Sequence, residues 1–358
     1  MTYKFNNTDS TFFKHIKQSV DNYFQTNKIH RSGNGRLYFK SSIQVLSAVA
    51  LYVVLVFFTP PTLITIGLCA LLGFNLAIIG FNVMHEGGHQ SFSKYPWINA
   101  VSAYFLNILG GVSYFWKVKH NINHHTYTNV EGMDSDIDVK PFMRLHAEQP
   151  WRSYHRYQHI YGLPLYSLSY LAWIFYEDFV KYFSKRVSAS QESASLPLRE
   201  HFIFWLTKAM YIVVYCVIPI IMTGFFSWLI GFLVITLVCG LTTSTVFQLA
   251  HVVEGTHFHN AAAEKSEREW AVHQVLSTSN FATRSRTLHW LLGGLNFQIE
   301  HHLFPRISHM HYPSISVLVK RACSEAGITY NEYSSMASAL LSHLMHLKKL
   351  GSSRTETT

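Results

Sequence analysis

The feature that most constrains the fold is charge, because two long stretches of the 358-residue chain carry almost none. Between residues 41 and 93 the single Asp, Glu, Lys or Arg is Glu86, and between 209 and 253 there is none. Each stretch is about twice the roughly 20 apolar residues that one membrane-spanning helix needs. The sequence therefore predicts an integral membrane protein, and its low charged fraction of 14% agrees with that class.

Each uncharged stretch contains one break at which a pair of helices can turn. Pro60-Pro61 divides the first stretch into segments near 43–59 and 62–84, and Thr223-Gly224 divides the second into segments near 204–222 and 226–248. We therefore predict an all-α integral membrane protein with four transmembrane helices in two hairpins.

Two further apolar segments, 97–116 and 160–176, complicate the number of spans. They are interrupted by Gly110-Gly111 and by Pro164, and both are rich in Trp and Tyr. We interpret them as helices that lie in the membrane interface, where aromatic side chains concentrate.

The positions of the 29 Lys and Arg residues predict the orientation in the membrane. They lie in the N-terminal arm, between 94 and 208, and after Glu264, whereas the hairpin tips contain none. By the positive-inside rule, those regions and both termini are cytoplasmic. We divide the chain into an N-terminal arm (1–40), a membrane domain with a cytoplasmic helical cap (41–350) and a disordered tail (351–358). The net charge of +9 then needs no nucleic acid partner.

Eight of the 22 histidines fall into three short motifs and one isolated position. The motifs are HEGGH at 85–89, HNINHH at 120–125 and QIEHH at 298–302, and the isolated residue is His251. Helical residues four apart share a face, so the first motif presents two rings to one metal, and so do positions 120 and 124, with 125 offset. The candidate ligands are His85, His89, His120, His124, His125, His251, His301 and His302.

Topology tests this grouping of the histidines. With four spans, all eight candidate ligands lie on the cytoplasmic side. If the segment 97–116 crossed the membrane alone, the second motif would be stranded outside, away from the first. One shared site therefore requires the interfacial interpretation of that segment.

The number and type of ligands narrow the choice of metal. Neutral imidazole suits Zn, Cu, Fe and Ni, while structural zinc prefers four ligands that usually include Cys. Eight imidazoles are too many for one ion but enough for two ions with open positions. Two ions at a membrane surface favour dioxygen activation, although the spacing alone does not choose iron over zinc. Histidines outside the motifs are expected to be ordinary core or interface residues: His146, His155, His159, His257, His259, His309 and His311.

The motifs resemble the three histidine boxes of the membrane fatty acid desaturase family. The similarity extends over about 12–312 and includes Trp270, Gln274 and the run GGLNFQIEHHLFP at 293–305. The resemblance implies a di-iron centre that uses O2 to desaturate a fatty acyl chain carried on CoA or on a lipid. It also places His251 where the family often has a further ligand.

Gln298 stands where the third box of the family often begins with histidine. This glutamine is typical of front-end desaturases, which insert a double bond between an existing one and the carboxyl end. A glutamine amide is a weaker, neutral donor, so one iron should have a more open or water-filled position. The alternative is that Gln298 only hydrogen-bonds its neighbours.

The expected electron donor follows from a departure from the family pattern. Many front-end enzymes carry a fused cytochrome b5 domain with a His-Pro-Gly-Gly motif, which this sequence lacks. The N-terminal arm is also too short for that domain, so a ferredoxin or a free cytochrome b5 with its reductase is expected. This arrangement favours a bacterial plasma membrane, or the endoplasmic reticulum in a eukaryote.

Residues around the boxes are candidates for support and for substrate binding. Metal-bound imidazoles usually donate their second N–H to a carboxylate or carbonyl group, and the nearby carboxylates are Glu86, Asp134, Asp136, Asp138, Glu254 and Glu300. The aromatic residues that adjoin the boxes are candidates for an acyl tunnel or for interface anchors: Trp116, Tyr127 and Trp290.

Two other functions remain open at this point. A hydroxylase on the same scaffold would differ only in the fate of the substrate after hydrogen abstraction, which sequence hardly separates. A metal transporter would place its ligands near the bilayer midplane on broken helices, whereas these ligands lie at the ends of spans on one side.

Overall fold

The computed structural model describes residues 3–7, 10–187, 196–260 and 268–352. Regular structure in this part is helical apart from two parallel pairs of two-residue strands. β1 (Val130–Glu131) pairs with β2 (His259–Asn260), and β3 (Asn280–Phe281) pairs with β4 (Glu332–Tyr333). Of the predicted tail, Gly351 and Ser352 belong to the last helix, and 353–358 lie outside the described residues.

The N-terminal arm and the first hairpin form a short series of helices. They are α1 (Thr11–Asn27), α2 (Gly35–Val53), α3 (Thr62–Ile79) and α4 (His85–Gly88). A π-helical turn follows α2 at Val54–Phe58, and another joins α3 to α4 at Gly80–Met84. The two spans therefore run over Gly35–Phe58 and Thr62–Gly88.

The central region contains shorter helices. They are α5 (Pro96–Ala103), α6 (Phe105–Ile108), α7 (Ser113–Trp116), α8 (His125–Tyr127), α9 (Gln158–Ala172) and α10 (Asp178–Ser184). A π-helix at Lys117–His124 joins α7 to α8, a 3-10 turn at Ser153–Tyr157 precedes α9, and a π-turn at Trp173–Glu177 joins α9 to α10.

The second hairpin and the C-terminal region complete the fold. They contain α11 (Leu198–Ile212), α12 (Ile218–Thr223), α13 (Phe225–His251), α14 (Trp270–Ser277), α15 (Arg286–Leu291), α16 (Gln298–Leu303), α17 (Tyr312–Glu325) and α18 (Met336–Ser352). A π-turn at Val213–Val217 lies between α11 and α12, and a 3-10 turn at His309–His311 precedes α17.

The prediction of four spans is confirmed. In the described part of the chain, four helices are long and apolar enough to cross a membrane: Gly35–Phe58, Thr62–Gly88, Leu198–Thr223 and Phe225–His251. Both predicted breaks are turns, at Thr59–Pro61 and at Gly224, whose φ of +82° suits glycine. The spans form two hairpins, as the sequence indicated.

The segment that carries α5 to α8 turns back on itself. Its two halves, Pro96–Ile108 and Ser113–Tyr127, are bent by 110° at the Gly110-Gly111 break. The ring of His89, before this segment, lies 5.1 Å from the ring of His120, after most of it. The chain therefore returns to the side from which it started, and this segment does not cross the membrane alone.

The helix that begins at Gln158 packs along the fourth span. Gly240 in α13 allows this approach, because a Cβ there would overlap the backbone of Ser167. Over α9, the π-turn that follows it and α10, apolar side chains are exposed at intervals of several residues: Ile160, Leu168, Tyr176 and Phe183. One face packs on protein and the other is apolar, as expected for a helix in contact with lipid.

A second apolar core forms the cap below the spans. It contains Ile16 and Val20 of α1, Ile299 of α16, and Ile315 and Val319 of α17, all fully buried. The N-terminal arm is thus packed against the helix that carries the last histidine motif. This packing holds the third motif against the ends of the spans.

Candidate metal centre

The first histidine motif ends the second span, and its two glycines are required by close packing. A Cβ on Gly87 would lie 2.6 Å from the backbone nitrogen of Ala103, and one on Gly88 would overlap the ring of Trp116. The π-turn at Gly80–Met84 precedes the motif, as π-turns often do at functional sites. The motifs at 85–89, 120–125 and 298–302 are called boxes 1, 2 and 3 below. Box 1 can therefore approach α5 and Trp116 only with small residues at the two glycine positions.

The second motif lies on a π-helix, and this corrects the expected offset of His125. The backbone N–H of His125 reaches the carbonyl of His120, five residues earlier. This wider turn brings residues five apart onto one side, so Nε2 of His125 lies 3.3 Å from Nε2 of His120. The rings of His120 and His124 are also stacked, 5.2 Å apart. All three histidines face the same site.

The third motif is placed by a glycine pair. Gly293 and Gly294 have φ of +58° and +71°, in the left-handed region that favours glycine. A Cβ on Gly293 would lie 2.6 Å from the backbone oxygen of Phe81 in the second span. The turn before α16 is therefore pressed against box 1, which brings His301 to a ring distance of 4.6 Å from His85.

The eight predicted ligands converge into one buried cluster. The ligand atoms of His85, His89, His120 and His301 all lie within 4.8 Å of one another, and so do those of His124, His251 and His302. His125 forms a third group of this kind with His301 and His302, so it lies between the other two. None of the eight residues is more than 8% exposed. The arrangement has room for two ions.

The free ring nitrogens test whether these residues fit a metal. Seven of the eight histidines have one buried ring nitrogen that finds no hydrogen-bond partner within the described chain: His85, His89, His124, His125, His251, His301 and His302. The eighth, His120, points its Nε2 at another imidazole nitrogen. Unpaired buried acceptors are costly, and metal coordination satisfies them. The residues present therefore fit a metal ion.

Outer hydrogen bonds fix the orientation of three ligands. Nδ1 of His124 donates to Asp134 at 3.0 Å, and Nδ1 of His302 donates to the Gln274 amide oxygen at 2.8 Å. Nδ1 of His301 lies 3.2 Å from the Tyr312 hydroxyl. In each ring Nε2 is the nitrogen left for the metal, as is usual for metal-binding histidines.

Burial keeps most of the ligands in the form that binds metal. Desolvation and the neighbouring rings hold the pKa of the imidazoles outside the spans well below the usual value at His89, His120, His125, His301 and His302. At His124 burial also lowers the pKa, but the Asp134 carboxylate outweighs it and the net pKa is raised. A neutral ring offers a lone pair to a metal, and a carboxylate partner makes that ring more basic.

Sequence reasoning missed a buried cluster behind box 1. Glu86 was predicted to support a ligand, but it contacts His309, whose Nδ1 lies 2.9 Å from Glu86 Oε1 and whose backbone N–H donates to the same oxygen at 3.0 Å. The ammonium of Lys40 in turn donates to His309 Nε2 at 2.9 Å. His309, expected to be an ordinary residue, thus links the first span, box 1 and the region after box 3.

The other predicted carboxylates lie in different settings. Glu300 accepts hydrogen bonds from Asn280 and Tyr330 at 2.8 and 2.9 Å. Burial raises the pKa of Glu300 to about 7, against those two hydrogen bonds, which lower it. Asp138 is 47% exposed and pairs with Lys140 at 3.4 Å. Of the predicted carboxylates, Asp134 makes the closest contact with a candidate ligand, at 3.0 Å from His124 Nδ1.

The two remaining carboxylates predicted from the sequence, Asp136 and Glu254, also have different surroundings. Asp136 lies 3.6 Å from His124 Nδ1 and pairs with Lys119 at 2.7 Å. The backbone N–H of Glu254 donates to Ser342 at 2.9 Å, which ties the end of the fourth span to α18. Asp136 therefore belongs to the surroundings of His124.

The three predicted aromatic residues are not together. Trp116 stacks on His120 at 4.5 Å and contacts the rings of box 1. Tyr127 stacks on Phe5 of the N-terminal arm at 6.2 Å, and Trp290 is 41% exposed next to Lys40. Only Trp116 of the three borders the metal cluster in the described structure.

A separate cavity of about 310 Å³ lies among the spans. Its walls include the hairpin turns at Pro60 and Thr223 and a group of tyrosines, Tyr170, Tyr211 and Tyr215. Among the residues that form these walls there is no candidate metal ligand and none of the three aromatic residues predicted for an acyl tunnel.

Gln298 lies directly beside a candidate ligand. Its amide nitrogen is 3.0 Å from Nε2 of His251, and its amide oxygen is buried without a partner in the described structure. The glutamine is 3% exposed. It is thus within the cluster of His124, His251 and His302, where the sequence placed an open position.

Four membrane spans with eight convergent histidines at one end define an integral membrane protein with a site that fits a metal. The family model for fatty acid desaturase matches residues 60–334. The acyl-lipid (8-3)-desaturase of Physcomitrium patens is 34% identical over 95% of this chain and 72% of its own length. The sn-1 linoleoyl-lipid 6-desaturases of Arthrospira platensis and Synechocystis sp. are 33% and 32% identical, over 95% of this chain and 92% and 95% of their own lengths.

The chain therefore belongs to the fatty acid desaturase family. It is a membrane oxidoreductase that introduces a double bond into a fatty acyl chain, and its substrate is a lipid. The resemblance predicted from the histidine boxes is confirmed. The clustered histidines agree with this family.

Proposed function

We propose that the protein is a front-end acyl-lipid desaturase, which inserts a double bond between an existing one and the carboxyl end of a linoleoyl-type chain. The observation that carries the proposal is the placement of Gln298 against His251 inside the ligand cluster. The similarity to linoleoyl-lipid 6-desaturases over nearly the whole of both chains supports the same substrate class. An acyl group on CoA is the other carrier to test.

We also propose that the site holds two iron ions and uses O2. His85, His89, His120 and His301 would hold one ion, and His124, His251 and His302 the other, with His125 between them. When bound, such a pair of irons activates dioxygen and supplies an oxidant strong enough to remove hydrogen from an unactivated methylene. Each turnover removes two hydrogens from adjacent carbons, and two electrons and two protons complete the reduction of O2 to two waters.

The side chains contribute position and exclusion of water to this reaction. Asp134, Gln274 and Tyr312 hold three ligand rings in fixed orientations, so the geometry of the centre is set before substrate arrives. Trp116 covers box 1 and stacks on His120, which shields that side of the cluster from solvent. No side-chain nucleophile or general base is needed.

Electrons are proposed to come from a separate protein, a ferredoxin or a free cytochrome b5 with its reductase. The sequence contains no His-Pro-Gly-Gly motif of the kind that marks a fused cytochrome b5 domain. We place the enzyme in a bacterial plasma membrane with both termini in the cytoplasm, since the basic residues flank the spans on one side. A eukaryotic source would place it in the endoplasmic reticulum.

Expression in a heterologous host that is fed linoleate and oleate tests the proposed function. Total fatty acids are analysed by mass spectrometry with location of the double bonds, beside the control variant His301→Ala/His302→Ala. We expect a new double bond on the carboxyl side of the existing one, absent from the control. A hydroxylated chain without a new alkene would instead identify a hydroxylase, and a double bond on the methyl side would contradict the front-end assignment.

A further inference from the structure

The metal ligands are too deeply buried for a carrier protein to touch them. Each of the eight histidines is at most 8% exposed. The reaction nevertheless needs two electrons from outside the substrate, and each must cross the protein between the surface and the ligands. The structure therefore must contain a short path from a partly exposed group to one of the ligands.

We propose that Trp270 is the residue through which electrons from a one-electron carrier protein reach the metal centre. It is partly buried at the start of α14, and its indole N–H donates to the backbone carbonyl of His125 at 3.2 Å. The path from the indole to a ligand ring thus consists of one hydrogen bond and one residue. This inference rests on the proposed function.

His125 is the ligand best placed to receive electrons for both ions. Its ring lies 4.7 Å from the ring of His301 and 4.4 Å from the ring of His302, one from each ligand group. The helix that begins with Trp270 also carries Gln274, which accepts the hydrogen bond from His302. α14 therefore contacts the centre at two points, one turn apart.

The surroundings hold the indole in place on the cap. The backbone N–H of Trp270 donates to the side chain of Asn7 at 3.1 Å, and the indole ring packs edge-on against Phe13 at 5.4 Å. The neighbouring Glu269 accepts from the backbone N–H of Phe13 at 2.8 Å. Trp270 is partly exposed on the cap, whereas Trp116, which also touches a ligand ring, lies within the segment that turns back from the spans.

The redox balance of the step is simple. A reduced ferredoxin or cytochrome b5 is oxidised by one electron in each encounter, and the metal centre is reduced by that electron. Two encounters supply the two electrons of one turnover, and solvent supplies the two protons. Trp270 bridges the transfer and has the same charge before and after it.

The test compares Trp270→Phe with a matched control. The variant keeps an aromatic ring but loses the N–H bond to His125. Trp228→Phe loses an equivalent bond, from the indole N–H to the carbonyl of Tyr215 at 2.8 Å, in a membrane span. Metal content and carrier affinity are measured for each protein. The rate of metal reduction is followed by stopped-flow with reduced ferredoxin, reduced cytochrome b5, and dithionite as a small reductant.

We expect Trp270→Phe to slow reduction by the effective carrier several-fold, because the hydrogen bond from the indole N–H to the His125 carbonyl is lost. Reduction by dithionite, metal content and carrier affinity should stay as in the wild type, and Trp228→Phe should be unchanged throughout. Trp270→Leu should slow carrier-driven reduction further.

Three results would overturn the proposal. Carrier-driven reduction at the wild-type rate in Trp270→Leu would exclude this path. An equally slow reaction of Trp270→Phe with dithionite, or a loss of metal, would show that Trp270 only supports the structure around His125. Reduction of the wild type by dithionite but by neither carrier would exclude a one-electron carrier. Formation of the new alkene by the wild type is scored separately, so the proposed function is judged on its own result.

Discussion

At the scale of single residues, we expect the hydrogen bond between His124 and Asp134 to affect metal binding more than any other bond to a candidate ligand. Asp134 is 2% exposed, and its carboxylate accepts from His124 and from the backbone N–H of Asn129. Asp134→Asn preserves the shape but removes the charge that makes the ring basic. Metal affinity and desaturation should fall by about 10- to 100-fold, measured by elemental analysis of protein equilibrated with increasing metal and by product yield.

The matched control for this prediction is Asp138→Asn. Asp138 is close in sequence, but it pairs with Lys140 at the surface, where an ion pair contributes little. Metal content should stay at the wild-type level in this control. Equal metal loss in both variants would show that the acidic run acts through its overall charge and not through the bond to His124.

The sequence predicted contacts between residues that are close together in the chain and missed contacts between residues that are far apart. The ligands within each box are four or five residues apart, so helical spacing brings them together. The partner of Glu86 is His309, 223 positions away in the sequence, and the partner of His309 is Lys40, 269 positions away. Such contacts depend on how helices pack, and a single sequence contains no periodic signal for them.

At the scale of elements, the π-helix at Lys117–His124 decides whether the second box supplies two ligands or three. An α-helical pattern predicted that His125 would be offset, whereas the extra residue of the π-turn brings it level with His120. Whether a segment forms an α-helix or a π-helix is decided by tertiary contacts, so the π-helix could not be predicted from the sequence. The number and order of the membrane spans, by contrast, followed from apolar length and breaks.

Deletion of Ile122 tests the role of this π-helix. Ile122 is 54% exposed, so its side chain makes little contribution to the core. Without it the segment should become an ordinary α-helix, in which His125 comes four residues after His120 and keeps its face, whereas His124 comes only three residues after His120 and is turned relative to it. We expect bound metal to fall in the deletion, through the displaced His124, and to be fully retained in Ile122→Ala, both measured as metal per chain. Retention of all metal in the deletion would refute the role of the π-turn.

The glycines of box 1 provide another test at this scale. Gly88→Ala would force a methyl group into the Trp116 ring, and overpacking of this kind costs about 1–3 kcal/mol. Gly67→Ala in α3 is the control, because a Cβ there meets nothing within 4 Å. The control should be neutral or stabilising by about 0.5–1 kcal/mol. Thermal unfolding in detergent, with metal content in parallel, distinguishes the two.

At the scale of the whole molecule, one buried cation ties the re-entrant segment to the spans. The ammonium of Lys208 in the third span donates to the backbone oxygens of Gly110 and Ile174 and to Asp178, at 2.6, 2.7 and 2.9 Å. Asp178 is fully buried. This one side chain therefore joins α10, α11 and the turn that leads to box 2, and it fixes where the second box begins.

Removal of one member of this pair should be severe, and removal of both should be milder. Lys208→Met leaves the buried Asp178 without its cation, which costs about 3–5 kcal/mol. In Lys208→Met/Asp178→Leu no buried charge remains, so much of the stability lost on unfolding in denaturant should return. If the double variant is as unstable as the single one, the hydrogen bonds to Gly110 and Ile174 matter more than the charge.

The orientation proposed for the molecule in the membrane rests on its basic residues, and cysteine labelling tests it. The four native cysteines are free, so a cysteine-free background can be made by replacing them with alanine. Thr62 lies at the first hairpin turn and Ser153 precedes α9, and both are exposed. Because the tips carry no Lys or Arg, a membrane-impermeant maleimide should label Thr62→Cys in intact bacterial cells. Ser153→Cys should be labelled only after permeabilisation, since the proposed orientation places it in the cytoplasm with the metal cluster, where the carrier protein must also dock. The reverse pattern would place the centre outside the cytoplasm, and then neither a ferredoxin nor a cytosolic cytochrome b5 reductase could supply it.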